Sequence, residues 1–137
     1  MAKQSGLGYA VTVDDSGGTP RVISNDSTDF DFATPRDAQD VTGVDKFAHE
    51  RLLLLADFSC TVNGVMNLGA VPSATSHGVF ATVSSTSVPR TTALAISGKS
   101  LTNEVIFTDY KVSRGSDGKF TYSCPGVLAD GTIPTWA

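Results

Sequence analysis

Apolar and polar residues alternate through most of the chain, and the alternation marks out strands. Leu7, Tyr9, Val11 and Val13 fall on one face of an extended segment. Asp14-Asp15-Ser16-Gly17-Gly18 is a turn, since glycine supplies positive φ and aspartate bonds to nearby backbone. Pro20 to Ser24 returns as a second strand, so the two form a hairpin. From Asp57 to Met66, Phe58, Cys60, Val62 and Met66 face one way, and Ser59, Thr61, Asn63 and Val65 the other. The alternation runs on through Asn63-Gly64, which favours a bulge or a close backbone approach at Gly64 over a tight turn. Three strands follow, Arg90 to Ser97, Leu101 to Arg114 and Lys119 to Leu128. The second of these is apolar on both faces, with Ile106, Tyr110 and Val112 opposite Val105 and Phe107, as expected of a strand that is sandwiched or touches another molecule. In the last, Phe120, Tyr122 and Cys124 read inward and Thr121 and Ser123 outward, and Pro125 should end regular pairing or sit at a bulge or an edge.

The alternation fails in two places. Asn25 to Val44 has no sustained period and carries Asp26, Asp29, Asp31, Asp37 and Asp40 against a single cation, Arg36. Its first part, Thr28 to Phe32, alternates and reads as a short strand, but residues from about 28 to 45 as a whole are expected to form a long acidic loop. Thr42 or Asp45 can cap a helix starting near Lys46, with Phe47, Ala48, Leu52 and Leu55 as its stripe and Lys46 paired to Glu50, although the run Leu52 to Leu55 can equally be extended. Ser73 to Ser84 is a second, weaker helix capped by Ser73 or Thr75, with His77, Val79 and Phe80 on its packing side. Near the end, the only tryptophan, Trp136, should fold back on the domain or dock on a neighbour. The pattern predicts one domain over residues 1–137, with a loose arm at 1–6. The fold class is mostly β (α+β), a β-sandwich or curled antiparallel sheet with one or two flanking helices.

Charge and candidate chemistry narrow the function. A formal net charge of -4 argues against tight phosphate binding, which needs clustered Lys and Arg. Two cysteines, Cys60 and Cys124, are too few for a disulfide scaffold and read as small core residues. The opening MAKQSGLGYA has no apolar signal core, and the longest apolar run, Leu52 to Ala56, is far too short to span a bilayer, so the expectation is a soluble chain made in a cytoplasm with no membrane partner. His49 and His77, the only histidines, lie in no metal-binding spacing. A metal site on Asp29 and Asp31 lacks the ligand spacing of a calcium loop, and a solvated acidic face is the better reading. No nucleophile elbow, dinucleotide fingerprint or phosphate loop is present, so no enzyme, catalytic residue, metal or cofactor is expected.

Asp40 to Asp57 (DVTGVDKFAHERLLLLAD), Val62 to Asn67 (VNGVMN), the opening MAKQSGLG, and SHGVF at 76–80 followed by Pro89-Arg90-Thr91 carry a resemblance. Over nearly its whole length the chain resembles the tail tube (major tail) proteins of long, non-contractile-tailed bacteriophages, the siphophage type. The resemblance implies a tail-tube-like fold and a structural virion protein that self-assembles into hexameric rings. These would stack as the hollow tube that passes phage DNA into the host. It implies partners in other copies of the chain and in the tape measure, tail tip and terminator proteins, with DNA as a weakly contacted cargo. It also implies a location in the phage tail after assembly in the bacterial cytoplasm. On that reading Asp29, Asp31, Arg36, Asp37, Asp40, Asp45, Lys46 and Trp136 are candidate ring or stacking contacts, and Ser59, Thr61, Thr121 and Ser123 candidate lumen facers. The alternatives are another phage structural part, a tail terminator or capsid decoration protein, or a ligand-binding β-sandwich such as a carbohydrate-binding module. The last would display exposed aromatics, whereas here they are few and mostly read inward.

Overall fold

A computed structural model describes residues 8–137. The expected arm at 1–6, and Leu7 of the first strand, lie outside the described residues. The fold is mostly β, as the alternation predicts. In chain order come β1 (Ala10–Asp14), β2 (Pro20–Val22), a single 3-10 turn (Ser24–Asp26), β3 (Ser27–Ala33), β4 (Arg36–Asp40), β5 (Arg51–Ala56), β6 (Ser59–Val65), α1 (Ser76–Phe80), β7 (Arg90–Ile96), β8 (Lys99–Phe107), β9 (Lys111–Arg114) and β10 (Phe120–Leu128). All but β4 and β5 belong to one antiparallel sheet in the order β2-β1-β7-β8-β10-β6-β3, with β9 also on β10. Strands β4 and β5 pair only with each other.

The sheet curls until its ends meet. The Tyr9 ring packs 4.9 Å from that of Phe30, and the Tyr9 hydroxyl donates to the Ser27 carbonyl at 3.0 Å. Inside the curl, Val11, Val13, Phe58, Cys60, Val62, Leu94, Leu101, Val105, Tyr122 and Cys124 are buried. They are the inward positions of the alternating pattern.

Helix α1 fills the middle. Its Phe80 ring lies 5.2 Å from Phe107 and 5.7 Å from Tyr122. A five-residue helix is too short to stand on propensity, and buried polar groups hold both ends. The Thr75 hydroxyl caps it by accepting from the Gly78 N–H at 3.0 Å, and the Asp26 carboxylate accepts from the Ser76 N–H at 2.9 Å. At the far end the buried Arg90 guanidinium donates to the Val79 carbonyl, to the Thr82 hydroxyl at 2.8 Å and to the Asp14 carbonyl at 3.3 Å. Each charge therefore complements the nearer helix end. The helix is shorter than the predicted Ser73–Ser84; Ser73 lies before its Thr75 cap and packs on Gly78, where a Cβ would lie 2.3 Å from the Ser73 hydroxyl.

Gly64 is a close backbone approach, as expected. A Cβ on it would stand 1.8 Å from the Asp26 carbonyl oxygen, and the β3–β6 register shifts between Ser27 and Asp29 directly opposite. Pro125 sits where β10 changes partner on one edge: β9 pairs as far as Ser123 and β8 begins at Gly126, so the missing N–H falls in the gap between them.

Other expectations need correction. Phe120, read as inward, is 48% exposed at the start of β10. No helix begins at Lys46. Residues 41–50 are an irregular connection and the leucine run is extended in β5, because the backbone of β4 pairs with it (Gln39 with Leu52, Ala38 with Leu53) and the core is already filled by the sheet and α1. The expected acidic loop at about 28–45 is mostly strand, its first half paired with β6 and its second with β5. The expected strand 101–114 is two, broken at 108–110. There Tyr110 turns towards the interior, 6.1 Å from Phe80 and 6.3 Å from Tyr122, so it does not share a face with Ile106.

Candidate assembly surfaces

Register sorts the candidate residues onto separate surfaces. Asp29 pairs with Asn63, which pairs with Ser123, which pairs with Lys111. One step along, Asp31 pairs with Thr61 and Thr61 with Pro125. Ser59 and Thr121 lie two residues away on the same strands and so on the same face. The four lumen candidates Ser59, Thr61, Thr121 and Ser123 therefore share one outer face with Asp29 and Asp31; the exposed Val65, Ile106 and Val127 lie on it too, and Lys111 stands at its edge. Asp29 and Asp31 are separated from the other predicted contact residues.

Arg36, Asp37, Asp40, Asp45 and Lys46 gather on the second surface, the β4–β5 hairpin and its connection. Arg36 donates through Nε to the Leu54 carbonyl at 2.9 Å. Asp40 organises the connection: it accepts from the Thr42 N–H at 2.9 Å and the Thr42 hydroxyl, and meets His49 Nδ1 at 2.9 Å. The Thr42 hydroxyl, then its amide, and finally His49 hold the Asp40 carboxyl below the ordinary aspartate range, against slight desolvation. Across the connection the Glu50 N–H donates to the Thr42 hydroxyl at 2.8 Å. Lys46 and Glu50 do pair, at 3.5 Å, though not on a helix.

The hairpin's apolar residues face water. Leu52, Leu53 and Leu54 are exposed, Leu55 is 92% exposed, and Phe47 and Val44 reach 107% and 109%. With Pro35 and Ile133, the side of β5 bounds an open groove of about 1000 Å³, rimmed by Arg36, Asp37 and Asp57. These apolar residues were missed as surface candidates because an apolar run normally signals core. No signal in the sequence marks them as exposed, since a core with no room for β5 shows only in the fold.

The C-terminal strip is the third surface. Ser100 and Ala137 exchange backbone hydrogen bonds at 3.0 and 2.8 Å, and Trp136 bridges to Leu101. Trp136 thus folds back on the domain, yet stays 52% exposed. Among the described residues, no three His, Cys, Asp or Glu side chains come together to hold a metal ion, and no helix is long and apolar enough to cross a membrane.

No family model and no curated protein sequence matches the chain. Its fold matches solved structures over almost its full length. One is a chain from the tail of an empty gene transfer agent particle refined with helical, C6 symmetry: TM-score 0.76, 16% identity, covering 98% of this chain and 99% of that one. A chain of the native gene transfer agent virion aligns at TM-score 0.75 and 14% identity, covering 97% and 99%. A chain of the sixfold-symmetrised baseplate of the anti-feeding prophage aligns at TM-score 0.63 and 10% identity, covering 100% and 97%. At these identities the likeness is one of fold.

Proposed function

We propose that the chain is a structural subunit of a phage-type tail, and specifically of its tube: copies close into a six-membered ring, rings stack, and DNA passes through the bore. The observation that carries this reading is the β4–β5 hairpin, which holds four consecutive leucines in water on a fold shared end to end with a chain of a C6-symmetric tail. An exposed apolar patch on a soluble domain marks an interaction surface. Repetition of a head-to-tail contact gives rings where the rotation closes and filaments where it does not. Strand β3 ends the strand order and carries no further strand among the described residues, and its outer side is where this reading places the contact between ring neighbours.

The outer face carrying Ser59, Thr61, Thr121 and Ser123 lines the bore in this reading, together with Asp29 and Asp31. Hydroxyls and carboxylates there, with Lys111 at the margin, give phosphates little to bind, so DNA slides without being held. Arg36, Asp37, Asp40, Asp45 and Lys46 act between rings, and Trp136 between subunits. The tape measure, tail tip and terminator proteins are the expected further partners, and the virion is the expected location.

The test is negative-stain electron microscopy of the purified protein over a concentration series, with light scattering for mass. Rings with a central hole that stack into tubes of constant width are expected. A single closed ring that never stacks would favour a terminator or decoration protein. A monomer at every concentration, with or without tail tips as seeds, would overturn the reading.

A further inference from the structure

We infer that ring neighbours select one another by charge: the acidic strand β3 of one copy stands against the basic strand β9 of the next, with Asp29 facing Lys111 of the neighbouring copy. This inference rests on the tube reading above and names the side chains that choose the ring partner. Strands β3, β6, β10 and β9 lie side by side, so β3 and β9 form two margins of the face assigned to the bore. The charges of β3 are Asp29 and Asp31, with no cation. Strands β6 and β10 carry no charge, nor do the β8 residues paired with β10. Strand β9 holds Lys111 and Arg114 and no acid. The flanking residues do not cancel the contrast. From 109 to 119, Lys111, Arg114 and Lys119 outnumber Asp109 and Asp117, while beyond β3 the opposite charges of Arg36 and Asp37 offset one another. Asp29, Asp31, Lys111 and Arg114 are all exposed.

The two margins cannot meet within one copy. Asp29 and Lys111 end a single register row, Asp29–Asn63–Ser123–Lys111, and three strand spacings hold them about 14 Å apart. Among the described residues, none of Asp29, Asp31, Lys111 and Arg114 has an ion-pair partner. Rotation about a ring axis sets one margin of each copy beside the other margin of the next, with no rise between them. Three antiparallel steps leave β3 and β9 antiparallel, so a neighbour's β9 beside β3 keeps the alternation of the sheet. Exposed ion pairs add little stability singly. Their effect is on partner choice, because like charges set face to face are penalised. Two β3 margins repel, as do two β9 margins, so the pattern admits head-to-tail closure and opposes a two-fold dimer. The same pairing neutralises Lys111 at the margin of the bore, leaving passing phosphates less to hold.

Complementary charge reversal tests the match. Asp29→Lys and Lys111→Asp are made alone and together, both at exposed positions, and ring formation is followed by light scattering and electron microscopy. Each single variant sets like charges against one another at every contact, so the concentration at which rings appear should rise at least about tenfold. Mixing the two single variants in equal amounts restores opposite charges when they alternate around an even-numbered ring, and the double variant restores them in every copy. Both should form rings within about threefold of the parent's concentration. Added salt should narrow the gap between each single variant and the parent, because exposed charges are screened. Single variants that form rings as the parent does, or losses that neither the mixture nor the double variant repairs, overturn the Asp29–Lys111 match and leave the tube reading standing. Failure of the unaltered chain to form rings or tubes at all, even when seeded with tail tips, removes the tube reading and this match with it.

Discussion

Asp26→Ala should destabilise the subunit by about 3 kcal/mol, since it removes an acceptor for a buried hydrogen bond and leaves the donor behind. The Asp26 side chain is buried and joins the 3-10 turn to the start of α1: it accepts from the Ser76 N–H at 2.9 Å and from Asn67 Nδ2 at 3.2 and 3.3 Å. Ser76 is fully buried, so its N–H is left without a partner, whereas Asn67 is exposed and can turn to water. A hydrogen bond to a charged group contributes about 1.5–3 kcal/mol, and an orphaned buried donor costs about 1–3 kcal/mol. The two overlap, and relief from desolvating the carboxylate offsets part of them. For a domain of 137 residues the unfolding entropy makes each kcal/mol worth about 3–4 °C, so the melting temperature should fall by about 10 °C. Asp26→Asn keeps one acceptor oxygen and should lose only about 1 kcal/mol. The assay is reversible urea and thermal unfolding at concentrations too low for assembly, read by circular dichroism. An alanine variant within about 0.5 kcal/mol of the parent would refute the reasoning, as would an asparagine variant no better than alanine.

Further outcomes follow from other buried groups. Gly64→Ala should lower stability by about 3 kcal/mol or prevent folding, because its Cβ meets the Asp26 backbone and no flexible side chain can yield; urea titration checks it. Cys60 and Cys124 should not react with a thiol reagent at pH 8 in the native protein and should both react on unfolding. Burial pushes Cys60 up to about 12 and Cys124 higher still. Asp15 gives a pH signature. Burial raises its pKa, but the Thr19 amide, the Arg21 guanidinium and the Gly17 amide outweigh that and hold it below the ordinary value. A depressed carboxylate stabilises above its unfolded pKa, and the contribution is lost as pH falls through the folded one. Asp15→Asn should therefore melt below the parent at neutral pH, with the gap shrinking once pH drops below about 4.

Most of the sheet was legible in the sequence because two-residue periodicity is a direct readout of a sheet with one buried face. Val11, Val13, Phe58, Cys60, Val62, Tyr122 and Cys124 all face inward where the alternation placed them. Gly64 was legible for the same reason, since the alternation did not stop there. The hairpin was not legible. Its leucines carry no alternation, and a short apolar run fits a helix stripe or a buried strand equally well. What decided between them was long-range: the pairing of β4 with β5, and a core with no vacancy for either. Tyr110 was misplaced because strand periodicity was carried across residues 108–110, where the chain leaves the sheet to pack its ring on Phe80. Most of the candidate contact residues were chosen by charge, and Arg36, Asp37, Asp40, Asp45 and Lys46 lie on the hairpin and its connection. Phe47, Leu55 and Ile133 were passed over, because an apolar side chain reveals that it is exposed only once the fold is known.

Electron microscopy of the assembled protein, at a resolution that fixes the sheet's orientation, tests the central claim most directly. The expected result is a sixfold, hollow tube whose bore is walled by the face bearing Asp31, Thr61, Thr121 and Ser123, with the β4–β5 hairpins spanning successive rings. Tubes walled by another face would contradict the assignment of the bore. A protein that stays monomeric, with Leu52 to Leu55 in water at every concentration and in the presence of tail tips, would contradict the tube itself.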